Sequence, residues 1–174
     1  MRDYFIRTER TGFSKWSVED IALAKSLWGE KAVTRLICAS GKFTEQEILQ
    51  RLGREIENGR KFGVQYWPVF CLKSGDLIGC CGLRPYSGKK DCYELGVHLR
   101  EKFWGKGLAT EAAKAAVEYA AAVLKAESLF AGHHPENTAS KKVVEKLGFH
   151  YEGDEYYAPT GLYHPFYRCR LRTE

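Results

Sequence analysis

From Cys92 to Leu99 the chain alternates. Tyr93, Leu95, Val97 and Leu99 fall on one side, and Cys92, Glu94, Gly96 and His98 on the other. A period of two predicts a strand with one face on a core. A short loop, Gly105-Lys106-Gly107, follows, and the period then becomes helical. Leu108, Ala112, Ala115, Ala116, Tyr119 and Val123 line one side of a helix predicted over Leu108–Leu124. Ser128–His133 then reads as a second strand. Strand, helix and strand in this order predict a parallel crossover of right-handed sense.

Upstream, Tyr4–Trp16 reads as a first strand with a polar, irregular middle. Ser17 and Asp20 have the spacing of a capping box, and Ile21, Leu23, Ala24, Leu27 and Trp28 supply the apolar side of a helix that Gly29 stops. Val33–Gly41 has no period that assigns it. Thr44-Glu45-Gln46-Glu47 opens another helix, with Ile48, Leu49, Leu52 and Ile56 inward and Asn58-Gly59 as its end. Tyr66–Leu72 and Leu77–Leu83 flank Lys73-Ser74-Gly75-Asp76 and predict a hairpin, with Pro68 at a strand start or edge. Downstream, Asn137 caps a helix over Thr138–Leu147, with Ala139, Val143, Val144 and Leu147 inward and Gly148 as its stop. Phe149–Gly153 and Tyr163–Leu171 predict a last antiparallel pair around a Tyr-, Pro- and Gly-rich loop, Asp154–Leu162. The expected fold is α/β (α+β), a mixed, mostly antiparallel sheet of about six to seven strands with one parallel β-α-β step and about four helices.

At 174 residues the chain has the length of one domain with a sizeable core. A net charge of +5 suits a polyanionic ligand or a solvated surface, and no Lys/Arg block points to nucleic acid. The N-terminus lacks the apolar run of a signal peptide, and no stretch reaches the length of a membrane span, so the expected location is cytoplasmic. Of the cysteines, none forms a CxxC pair, which argues for reduced thiols and not for a metal site. His133-His134 would point to opposite faces of a strand, without a third ligand. Cys92 shares a face with Glu94 and His98, but in no recognisable nucleophile context.

The glycine turn carries the chemistry. The first N–H groups of a helix lack intrahelical partners and lie at the positive end of its dipole, and glycine lets backbone approach an anion. A P-loop would need GxxxxGK[ST], which is absent. Gly105 and Gly107 fit two positions of the dinucleotide fingerprint GxGxxG, but Thr110 replaces its third glycine and Glu127 precedes the next strand instead of ending it. Trp104-Gly105-Lys106-Gly107-Leu108-Ala109, Asn137-Thr138-Ala139-Ser140 and Glu145-Lys146-Leu147-Gly148-Phe149 together resemble the Q/R-x-x-G-x-G/A, N-x-x-S and E-K-x-G-F motifs of the GNAT N-acetyltransferases. The phrase WGKGLATEA is similar to the RimJ/RimL-like branch, which acetylates protein N-termini and other amines.

That resemblance implies acetyl-CoA as co-substrate, no metal, direct attack by a primary amine and a possible homodimer. It implies that Trp104, Gly105, Lys106, Gly107, Leu108, Ala109 and Thr110 hold the pyrophosphate, that the pantetheine arm pairs with Val97, His98 and Leu99, one of whose N–H groups polarises the thioester, and that Asn137 meets the arm. Glu94 is the candidate base, or else a residue of a solvated face. Ser140 is the candidate acid for the departing thiolate, because Val144 stands where many members carry a tyrosine; otherwise it is an ordinary polar helix residue. The alternatives are an acyl-CoA-binding module without catalysis and a dinucleotide-binding protein.

Overall fold

A computed structural model describes residues 2–171. These form one sheet of eight strands: β1 (Ile6–Arg7), β2 (Thr11–Phe13), β3 (Tyr66–Cys71), β4 (Leu77–Pro85), β5 (Cys92–Leu99), β6 (Ser128–Gly132), β7 (His150–Tyr157) and β8 (Leu162–Arg170). The order across the sheet is β1-β2-β3-β4-β5-β6-β8-β7. Every neighbouring pair is antiparallel except β5–β6. Five α-helices accompany it: α1 (Ile21–Trp28), α2 (Lys31–Thr34), α3 (Glu45–Phe62), α4 (Leu108–Ala122) and α5 (Thr138–Lys146).

Alternation along the central strands sends alternate residues to two cores. Leu83, Leu95, Leu99, Leu129 and Tyr167 meet the alanine-rich side of α4 on one face. Ala112, Ala113, Ala116 and Ala120 are fully buried there, and their small side chains let the helix backbone lie close to the sheet. On the other face Tyr66, Phe70, Leu77 and Cys80 pack beneath Ala24, Leu27 and Trp28 of α1 and Ile48 and Leu52 of α3.

The sheet has more strands than the sequence pattern predicts, because the first extended stretch is a hairpin. Thr8 N–H donates to the Thr11 carbonyl at 2.9 Å and the two hydroxyls lie 2.8 Å apart, which turns the chain between β1 and β2. Helix α3 runs past Asn58-Gly59 and ends at Gly63, which takes φ 72°. Gly59 is instead a contact glycine: a Cβ there would stand 2.5 Å from Nε2 of Gln65, the group that donates to the Glu55 carbonyl at 2.9 Å. The Val33–Gly41 stretch begins in α2 and continues as turns. The β7–β8 pair extends to Tyr157↔Leu162, so the expected loop is only a tight turn. Most of β7 is exposed on both sides, and a strand without a buried face has no alternation to read. Leu49, Ala139 and Val123 are also exposed, against expectation.

A row of small residues crosses the sheet on the α1/α3 face. Tyr66 is paired with Gly82 and Gly82 with Gly96, and the Tyr66 ring lies across the space a side chain at Gly96 would fill. Gly→Ala in a strand is often stabilising; here the added methyl meets an aromatic ring. Gly96→Ala should therefore destabilise the fold by about 1–3 kcal/mol, the usual cost of overpacking. Urea unfolding checks this, and Tyr66→Ala combined with Gly96→Ala should cost less than the two single changes added together.

Candidate active site

Strands β5 and β6 pair only at Cys92↔Ser128, Tyr93↔Leu129 and Glu94↔Phe130. Beyond Glu94 they part, although β5 continues to Leu99 and β6 to Gly132. Alternate residues of a strand direct their N–H and C=O to opposite neighbours. Arg100 N–H donates to Ile78 on the β4 side, so His98, Gly96 and Glu94 face β4, while Leu95 closes the ladder to β6 at the last register pair and Val97 and Leu99 face the gap. Of the expected trio, His98 thus spends its backbone on β4, where it pairs with Cys80. Val97 and Leu99 are left on the open edge. The Leu99 carbonyl is taken by the indole N–H of Trp104 at 2.8 Å, which braces the start of the glycine loop.

That loop leads from β5 into α4. Gly105 and Gly107 take φ 69° and 74°, a backbone that side chains strain. Gly107 occupies the N-cap of α4, and the first N–H from there to return to the helix is that of Glu111, onto the Gly107 carbonyl at 3.1 Å. Among the described residues no protein acceptor meets the N–H groups of Gly105, Lys106, Gly107, Leu108, Ala109 or Thr110. The side chain of Leu108 anchors the turn in the core. Lys106 folds its ammonium onto the Lys102 carbonyl at 2.8 Å.

The first hairpin fixes this loop from outside. Glu111 accepts from Thr8 Oγ1 at 2.6 Å, Arg10 N at 2.9 Å and Arg10 Nε at 2.6 Å, while Arg10 Nη1 donates to the Lys106 carbonyl at 2.9 Å. Burial alone would raise the Glu111 pKa, but the hydrogen bonds from Thr8 and Arg10 outweigh it and hold the carboxyl below its ordinary range. The sequence offered no local signal for this contact, which joins positions about a hundred residues apart.

Glu94 stands where the strands part, with its side chain on the face opposite α4. Its Oε1 accepts from the Tyr66 hydroxyl at 3.1 Å, and Glu94 is register partner to both Arg84 and Phe130. Tyr66 stays protonated, its pKa driven up by burial and by Glu94. The Arg84 guanidinium lies 4.0 Å from the Tyr66 ring centroid and is ion-paired to Glu55 of α3. Glu55 is fully buried, and its other oxygen accepts Tyr66 N–H at 2.8 Å. Burial works against the Arg84 charge, but Tyr66, Glu55 and Glu94 more than restore it. The His98 ring lies under Trp28, whose indole donates to Nδ1 at 3.3 Å. Burial, Arg51 and Arg84 push its pKa well down, so the imidazole is neutral.

On the far side of Glu94, Tyr86, Phe130 and Phe166 stack in series, with centroids 4.0 Å and 5.4 Å apart. With Lys89, Asp154, Glu155 and Arg168 they line a groove of about 310 Å³. Asn137 is the N-cap of α5, its Oδ1 accepting Ser140 N–H at 3.0 Å. The Ser140 hydroxyl makes no hydrogen bond within the described residues, and Val144, one turn on, is buried in the core. His133 is engaged on both ring nitrogens, by the His134 carbonyl at 2.8 Å and the Tyr167 hydroxyl at 3.3 Å. No group of three or more His, Cys, Asp or Glu among the described residues is placed to share a metal ion, and no helix is long and apolar enough to cross a membrane.

Tyr66, Arg84, Glu55, Arg51, Arg10 and Glu111 were not singled out by pattern. The available signal was Gly82 and Gly96, since glycine inside a strand marks a close approach.

A splayed parallel strand pair beside an unpaired helix start, with a carboxylate where the strands part, sets this mixed α/β sheet apart. A model of the acetyltransferase (GNAT) domain matches residues 10–150, and the chain belongs to the GNAT acetyltransferase family. It is 27% identical over 150 residues to an uncharacterized N-acetyltransferase, p20, of Bacillus licheniformis, covering 84% of this chain and 82% of that one. A GNAT-family acetyltransferase of known structure from Bacillus anthracis superposes with TM-score 0.80 at 26% identity, covering 95% and 98% of the two chains. RimL, a ribosomal L7/L12 α-N-protein acetyltransferase solved in complex with coenzyme A, shares the fold at TM-score 0.80 and 16% identity, over 97% of this chain and 98% of that one.

The hairpin-to-loop contact generates a pH prediction. A carboxyl with a lowered folded pKa stabilises the fold above the unfolded pKa and loses that contribution as pH falls through the folded value. Glu111→Gln should thus be less stable than the parent at pH 7. The difference should shrink as acidification passes the ordinary glutamate range, as followed by urea unfolding at a series of pH values.

Proposed function

We propose that the chain moves an acetyl group from acetyl-CoA to a primary amine by direct attack. The observation that carries this reading is the parting of β5 and β6 at Glu94, next to a run of N–H groups without partners at Gly105–Thr110. The loop N–H groups suit a pyrophosphate, and the open edge of Val97 and Leu99 suits the amide-bearing pantetheine arm, which can add to it like a strand. When bound, the co-substrate supplies an activated thioester. An N–H of the open edge would steady negative charge on the thioester oxygen. The fold likeness to RimL and the WGKGLATEA phrase support a place near the RimJ/RimL-like branch. The acceptor class is wider than that, a protein N-terminus or a small amine.

Glu94 faces the side from which the amine arrives. Tyr66 holds one of its oxygens and leaves the other to take a proton from the amine, directly or through water. Ser140 has a hydroxyl without a partner and is our candidate for returning a proton to the sulfur, with water as the alternative. Trp104 and Asn137 support the site through the backbone, as loop brace and helix cap. A module that binds acyl-CoA without catalysis would keep the loop and the gap, but would not need a carboxylate fixed by a buried tyrosine.

Release of CoA thiol with a panel of amines tests the reading. Glu94→Gln should lower kcat by about 10²- to 10⁴-fold, the usual worth of a general base, while CoA still raises the melting temperature. A pH–rate profile unchanged by Glu94→Gln would remove the base assignment. Ser140→Ala should lower kcat and kcat/KM together if the hydroxyl acts only in the transition state; a rise in KM for acetyl-CoA alone would make it a binding group.

A further inference from the structure

Arg51 projects from α3 toward the same face of the sheet as Glu94, and only 8% of it is exposed. Its guanidinium lies 5.2 Å from the Trp28 ring centroid and 5.6 Å from that of Phe43. It has no ion pair and donates no hydrogen bond within the described residues, and its Nε is buried without a partner. The terminal nitrogens are not sealed in the same way, so the little exposure that remains includes them. A buried guanidinium is ordinarily retained only with an anion beside it.

None of its neighbours supplies that anion. Glu55 attracts Arg51, but both of its oxygens are engaged, one by Arg84 and one by Tyr66 N–H. The Cys80 thiol has its pKa pushed up to about 12 and is protonated. His98 is neutral. Arg84 is a second cation, and its own Nε is also buried and unpartnered. Arg51 therefore sits among two aromatic rings, a thiol, an imidazole, another guanidinium and a carboxylate already engaged by others, on the face where an amine would meet Glu94.

We infer that Arg51 is the anchor of an anion subsite, and that the acceptor is a small amine that also carries a carboxylate, such as an amino acid. The amine end would lie at Glu94 and the carboxylate end would supply Arg51 with the partner it lacks. The two charges of the acceptor would thus meet opposite charges at the two ends of the site. A planar guanidinium with free terminal nitrogens suits a carboxylate in particular. This inference rests on the acetyl-transfer reading above.

The test pairs ω-amino acids of two to six carbons with the alkylamines of the same chain length, and adds glutarate as a carboxylate that cannot be acetylated. The parent protein should show a higher kcat/KM for the amino acids at a favoured length, and glutarate should raise its melting temperature. In Arg51→Met the preference for the amino acid over its alkylamine should fall by about 10- to 100-fold, the usual worth of a hydrogen bond to a charged group, and the glutarate shift should vanish. Arg51→Lys, which keeps the charge and loses the fork, should retain part of both. Equal kcat/KM for the two amine series in the parent, with no glutarate shift, would overturn the inference, and that comparison stands even where neither variant folds. A preference for acidic peptides over amino acids would overturn the small-acceptor assignment. If no amine is acetylated but glutarate stabilises the parent and not Arg51→Met, the anion subsite stands and the transferase reading fails.

Discussion

The structure depends on one departure from regular pairing. A parallel strand pair ordinarily keeps its ladder along its length; here β5 and β6 share only three register pairs before they diverge. The divergence leaves backbone groups of β5 without a strand partner, an expensive arrangement unless water or a ligand takes them. It also joins the two faces of the sheet. The α4 face holds the loop and helix start with positive electrostatic character, and the opposite face holds Glu94, Tyr66 and Arg84. Two reactants could then approach from opposite sides and meet where the strands part.

Holding the strands apart requires rigid neighbours. On one side the alanines of α4 bring the helix down onto β5 and β4 without bulk. Trp104 and the Arg10–Glu111 contact tie the loop at both ends. On the other side, Tyr66 crosses two glycine positions to reach Glu94, and Glu55 clamps its backbone N–H while pairing Arg84. Substitution of one partner in such a network leaves the others buried and charged, so each position is constrained by the rest. The network reaches from α3 across β3 and β4 to β5, and so couples the helical cover to the carboxylate at the site.

The face opposite α4 is divided by Glu94 into an aromatic half and a cationic half. Tyr86, Phe130 and Phe166 form a flat stack on the β8 side, suited to apolar or planar groups. Arg51 and Arg84 lie on the α3 side, where burial strengthens any charge contact they make. A ligand that engages both halves must therefore be amphipathic, and selectivity would come from its anionic end.

Much of this molecule was legible along the chain. The limits of β5, the start of α4, its glycine entry, the Asn137 cap and the crossover unit all depend on local periodicity and on backbone conformations that few residues adopt, which are written in neighbouring positions. The motifs pointed to the family for the same reason, since each is contained in one short segment at the end of a helix. What the chain did not reveal arises between distant positions. The split of the first strand depends on hydrogen bonds of Thr8, Thr11 and Glu111. Gly59 continues a helix because Gln65 fills its space, and Gly63 ends it. His98 turns its backbone to β4 because pairing with Cys80 fixes the parity of β5. Arg51, Glu55, Arg84 and Tyr66 read separately as one helical face and two strands, and only packing α3 onto the sheet makes them a charged cluster with one cation left over. Periodicity specifies which side of an element is buried; which groups meet there, and whether their charges balance, is decided by the tertiary packing.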